Sequence, residues 1–99
     1  MIYVLHVGMK AQDYDTWEAG FNGTESKAHR KEVGQGVWQV FRDPDGNPNT
    51  FTMLMEWESI EQARAFLESD ELQEMNRESG LTDMGEMFYL LEVDSGTLD

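Results

Sequence analysis

The sequence predicts an α+β domain of order βαββαβ: one antiparallel sheet carrying helices on a single side. Three observations predict it. Four short stretches alternate like strands, at residues 1–9, 36–43, 50–58 and 86–93. Two longer stretches with helical periodicity separate the first strand from the second and the third from the fourth. The middle two strands are joined by "PDGNPN", a turn by composition. With right-handed crossovers these elements give the ferredoxin-like plan, strand order 4-1-3-2. A chain of 99 residues suits a single domain over 1–99.

Each element follows from local chemistry. "MIYVLHVGM" alternates two apolar-rich faces and forms the first strand. Asp13 or Asp15 caps the helix after it, in which Tyr14, Trp17 and Phe21 recur on one face. Gly20 and Gly23 weaken its interior by about 1 kcal/mol each. Either one helix runs to about Val33, or it breaks at Gly23 and Thr24 caps a second piece. Continuity with a weak spot is the expectation, and it places Ala28 on the Tyr14–Trp17–Phe21 face. The basic "KAHRK" then lies near the helix end, where cations suit the helix dipole, and Gly34 or Gly36 closes it. "GVWQVFRD" and "TFTMLMEWE" form a hairpin around the turn. Ser59 and Gln62 read as a capping box for the second helical segment. Ser69, followed by Asp70 and Glu71, reads as a second N-cap with a kink, and Gly80 ends the segment. "EMFYLLEV" is the last strand and "DSGTLD" a polar tail.

Composition narrows the function. The formal net charge is −13, from 20 acidic and 7 basic residues, so nucleic acid and anionic membranes are poor partners. The acidity suits either a high-salt cytoplasm, where carboxylate repulsion is screened, or an ordinary acidic bacterial protein. With no signal-peptide pattern and no apolar run of spanning length, a cytoplasmic location is expected. The chain has no cysteine, which removes disulfides and thiolate chemistry, and only two histidines, so no metal site is expected.

Strand parity sorts the sheet into two faces. Phe51, Met53, Met55 and Trp57 form one wholly apolar face, expected under the helices with Tyr3, Leu5, Val7, Val37, Gln39, Phe41, Met87, Tyr89, Leu91 and Val93. The other face would collect Ile2, Val4, His6, Trp38, Val40, Arg42, Thr52, Leu54, Glu56, Phe88, Leu90 and Glu92. Its centre is too apolar for water. No third layer remains in the chain, so a second copy is the simplest cover and a homodimer is expected.

The whole-chain pattern resembles the dimeric α+β barrels typified by antibiotic-biosynthesis-monooxygenase-like proteins. The likeness rests on "DYDTWEAGF", on "VFRDPDGNPNTFTMLMEWESIEQARAFLES" and on "MFYLLEV". It implies two subunits whose sheets face each other and enclose a small cavity. The activities it implies include cofactor-free oxygenation of polycyclic aromatics and haem degradation. Haem degraders of this kind use a histidine on the second helical segment, and residues 59–79 contain none; the strand-one asparagine is also missing, with His6 in its neighbourhood. No cofactor is therefore expected.

The candidate chemistry lies at the His6 end of the dimer-facing sheet surface. His6 is the candidate base and Arg42 the partner for an oxyanion or enolate. Trp38, Thr52, Leu54 and Phe88 are the candidate walls for a small apolar or aromatic ligand. The competing view makes His6 a barrel-mouth residue and pairs Arg42 with an acid. Glu56 is not expected to orient His6, because antiparallel pairing puts them at opposite ends of the sheet; Glu56 shares its end with Glu92. His29 and Trp57 read as surface and core residues. The sequence thus supports a cofactor-free monooxygenase or isomerase acting on an aromatic or polyketide-like molecule, or else a non-enzymatic binding or regulatory dimer.

Overall fold

The computed structural model describes residues 1–99. Strand β1 (Ile2–Ala11) leads to helices α1 (Tyr14–Phe21) and α2 (Thr24–Glu32). The hairpin β2 (Gln35–Phe41) and β3 (Thr50–Trp57) follows, then helices α3 (Ile60–Leu67) and α4 (Asp70–Ser79). A short strand β4 (Leu81–Asp83) and the last strand β5 (Glu86–Leu91) complete the sheet. The order is β2-β3-β1-β4, with β5 also paired to β1, and β1 runs antiparallel to each of its neighbours. With β5 as the fourth long strand this is the expected 4-1-3-2 arrangement, and β4 is an addition to it.

The caps explain most helix boundaries. The Asp13 carboxylate accepts from the Thr16 N–H, the Ser59 hydroxyl from Gln62, and the Ser69 hydroxyl from Leu72. Gly80 closes α4 at φ +81°, a left-handed conformation that glycine adopts without strain. The expected continuous first helix is instead broken. Gly23, in extended conformation, is the N-cap of α2, and Thr24 is its first residue rather than its cap. The break rotates α2, so that Ser26 and Arg30 are buried while Ala28 is exposed. The apolar face of α1 therefore does not continue along α2.

The registers fix the faces. Met53 and Met55 lie under the helices, 3 % and 2 % exposed, and Leu54 lies on the opposite face, as parity requires. Two strands are flipped relative to expectation. His6 pairs with Met53 and Val4 with Met55, so Ile2, Val4 and His6 face the helices while Tyr3, Leu5 and Val7 face outward. Trp38 pairs with Met55 and Val40 with Met53, which turns both inward and sends Val37 and Phe41 outward. Beta1 is apolar on both sides, so hydrophobicity did not distinguish its faces. What decides is a bulge between His6 and Met9. It lets His6, Met9 and Ala11 all point inward, where each is buried. Gly8 supplies the bulge conformation, at φ +76°.

Gly85 (φ +72°) packs its Cα against the Val7 carbonyl, leaving no room for a side chain. Gly8 faces open space. Gly8→Ala is thus expected to cost only its backbone strain, about 1–2 kcal/mol. Gly85→Ala adds a collision with the β1 backbone and should cost more. Urea unfolding of the two variants checks the order; equal midpoints would show that the close approach carries no weight.

Candidate functional site

A cleft of about 1070 Å³ lies between the helices and the sheet. Its floor comes from β1 and β3 through His6, Met9, Met53 and Met55. Trp17 and Phe21 of α1 form one wall, and Phe66, Leu67, Leu72 and Met75 of α3 and α4 the other. The cleft therefore lies within one chain, on the side of the sheet opposite the face where a ligand was expected.

His6 is the most unusual residue in it. It is fully buried, and neither ring nitrogen has a hydrogen-bond partner. Buried polar atoms are nearly always paired, so such a ring costs stability and calls for a reason. Burial pushes its pKa from 6.5 down to about 4; the nearby Met84 backbone opposes this, but too weakly and without hydrogen-bonding geometry to either nitrogen. At neutral pH the ring is neutral, with one nitrogen free to accept and the other to donate.

Arg30 is the second. It is 2 % exposed and reaches the cleft from α2. Its Nε donates to Ser26 Oγ (3.3 Å), Nη1 to Gln35 Oε1 (3.2 Å) and Nη2 to the Phe21 carbonyl (2.6 Å). The guanidinium carbon lies 3.6 Å from the Phe21 ring centre and 4.7 Å from that of Trp38. None of these partners is anionic, and the ion pairs of the structure, His29 with Glu71 and Arg77 with Glu74, do not include it. Burial alone moves its pKa down to about 10, which leaves it charged at neutral pH.

The expected site residues are not brought together. His6 faces the cleft, whereas Thr52, Leu54 and Phe88 lie on the opposite sheet face. Arg42 is on the His6 side but exposed beyond the end of β2. It stacks over Tyr14 at 5.0 Å, donates to the Pro48 carbonyl, and lines a separate groove by the hairpin. Trp38 also faces the helices and backs Arg30. The β1 flip moved His6 away from Thr52, Leu54 and Phe88, which keep the outer face; Trp38 and Arg42 turned inward with β2, and Arg42 is set apart by lying past the strand end. Glu56 and Glu92 do share an end of that outer face, with Tyr3 between them and its hydroxyl donating to Glu92 (3.3 Å).

Ser26, His29 and Arg30 were missed as site residues. A signal for them existed: "TESKAHRKE" has no large apolar side chain, yet it must cover part of the sheet. A helix in that position can only turn polar groups inward. His29, partly buried, lies 3.4 Å from Glu71 across the cleft and so links α2 to α4.

No protein-family model matches the sequence, and no curated protein matches it. Solved structures do match in fold. A candidate antibiotic biosynthesis monooxygenase from Chloroflexus aurantiacus is 20 % identical with a TM-score of 0.64, each chain covered over 100 % of its length. HapK from Hahella chejuensis is 13 % identical with a TM-score of 0.68, covering 100 % of this chain and 99 % of that one. SnoaB from Streptomyces nogalater, a cofactor-independent oxygenase, is 13 % identical with a TM-score of 0.61, covering 95 % and 93 %. The fold of this chain is that of the antibiotic-biosynthesis-monooxygenase-like α+β proteins.

Proposed function

We propose that the cleft binds a small planar aromatic molecule and that the protein is a cofactor-free oxygenase of enolisable or phenolic substrates. One observation carries this: a neutral, unpaired imidazole beside the Met9, Met53 and Met55 thioethers at the floor of a cleft whose rim is polar. An isolated imidazolium is disfavoured there, but proton transfer from a bound enol would create the enolate and imidazolium together, as a pair. The enolate is the electron-rich form that reacts with dioxygen, and the substrate supplies the electrons. The likeness in fold to a cofactor-independent oxygenase supports the reading. The non-enzymatic alternative uses the same cleft without turnover.

Anthrone is a suitable probe. It carries a carbonyl beside acidic ring-bound CH₂ hydrogens, and with O₂ it yields anthraquinone and water. Wild-type protein is expected to accelerate oxygen uptake, and His6→Gln to lose at least about 100-fold in kcat while still binding the probe. Wild-type rates no faster than buffer, with binding retained, would leave only the binding module.

The proposal includes a homodimer formed through the outer sheet face. Val37, Phe41, Phe88, Leu90 and Val7 are 65, 51, 45, 41 and 41 % exposed there, around half-buried Leu5 and Leu54. A lone subunit would present this largely apolar surface to water. A symmetric copy covers it without involving the cleft.

A further inference from the structure

We infer that Arg30 is the recognition point for a carboxylate carried by the aromatic ligand of the cleft. The inference rests on the cleft being a ligand site, as proposed above, and adds the charge and size of what it takes. A guanidinium has five N–H donors, and the three hydrogen bonds of Arg30 leave two. Every partner it has is neutral. A buried cation without an anion is costly, and a carboxylate supplies both the missing charge and two acceptor oxygens. The guanidinium is also held before its ligand arrives. Ser26 and Gln35 grip its edges, the Phe21 carbonyl fixes Nη2, and the Phe21 and Trp38 rings, edge to face with each other, lie beside it, so little ordering remains to be done on binding.

The rest of the cleft limits the ligand to one negative charge. Glu25, Asp70, Glu71, Glu74 and Glu78 stand along its exposed parts. A second anionic group would lie among these carboxylates, whereas a single one can be sequestered at Arg30. Size follows from the sheet. Trp38, which backs Arg30, is two strands across and two residues along from His6. At ~4.8 Å per strand and ~3.4 Å per residue, the two positions are about 12 Å apart. A separation of that order between the backbone positions suits a ligand of two or three fused rings.

The matched probes are 1-naphthoate and 1-naphthamide, which share shape and differ in charge. Titration calorimetry on the wild-type protein is expected to show naphthoate binding at least about 10-fold tighter than the amide. Arg30→Gln should erase that preference while leaving amide affinity within about 2-fold, and Arg30→Lys should restore part of it. A purely structural Arg30 would instead weaken both probes together. Circular dichroism establishes whether each variant is folded; should Arg30→Gln not fold, the wild-type preference decides alone. Amide binding equal to or tighter than naphthoate overturns the carboxylate site and leaves the cleft reading standing. Binding of neither probe overturns both.

Discussion

Leu54→Asp is expected to convert the proposed dimer into monomers or poorly soluble protein, whereas Met53→Ala, one residue away, should weaken folding within each chain. The two side chains are neighbours in sequence and lie on opposite faces of β3. Leu54 pairs with Leu5 on one side and Gln39 on the other, in the middle of the outer face. In the proposed dimer an aspartate there would be buried twice, once per subunit, without a cation to meet it. The desolvation of two carboxylates exceeds what a modest apolar interface supplies, and dissociation relieves it. Met53 is 3 % exposed beneath the helices, and its truncation removes packing around His6 at a cost of about 2–5 kcal/mol. Light scattering and denaturation at several protein concentrations separate the cases. Unfolding of Leu54→Asp should lose the concentration dependence of the wild type, and that of Met53→Ala should keep it. A Leu54→Asp protein that remains dimeric and equally stable would rule out the outer face as the interface.

The second large effect is a loss of stability in mild acid. His6 titrates at about 4 in the folded chain against 6.5 when unfolded. Above pH 6.5 both states carry a neutral ring and the difference contributes nothing to pH dependence. Between 6.5 and 4 the unfolded chain binds a proton that the folded chain refuses, so stability falls as pH falls. The full difference amounts to about 3 kcal/mol, at about 1.4 kcal/mol per pKa unit. Asp13 also contributes, but its carboxyl is held below its ordinary value by hydrogen bonds from Thr16, so its contribution is lost in more acidic solution. Urea midpoints measured from pH 7 to 4 should therefore decline for the wild type and stay much flatter for His6→Met. Parallel declines in both proteins would mean that His6 is not buried as a neutral ring.

Much of this was legible in the sequence, because it depends on interactions between near neighbours. Asp13, Ser59 and Ser69 cap helices three residues ahead of them, and Gly80 ends α4 by its own backbone freedom. The period-two pattern of Phe51 to Trp57 put a charge-free face under the helices, and Leu54 opposite it. The order of strands and helices then left few ways to connect them. The overall resemblance carried through to the fold for the same reason.

Of the site only His6 was legible, because its other members are brought together by choices that short-range pattern does not contain. Beta1 offers two apolar faces, and only the bulge at Val7–Gly8, closed against Gly85, turns His6 inward beside Met53. Arg30 reads as one cation in a basic helix end until the break at Gly23 rotates α2 and brings it against Phe21 and Trp38. A one-residue shift in register exchanges the faces of a strand, and a two-residue break redirects a helix. Both cost little locally, and packing across the whole domain decides them. Sequence by itself therefore determined the four long strands, the helical segments between them, their order and the apolar side of β3; tertiary structure decided the break between α1 and α2, the added β4, and that the buried histidine and the buried arginine share one cleft.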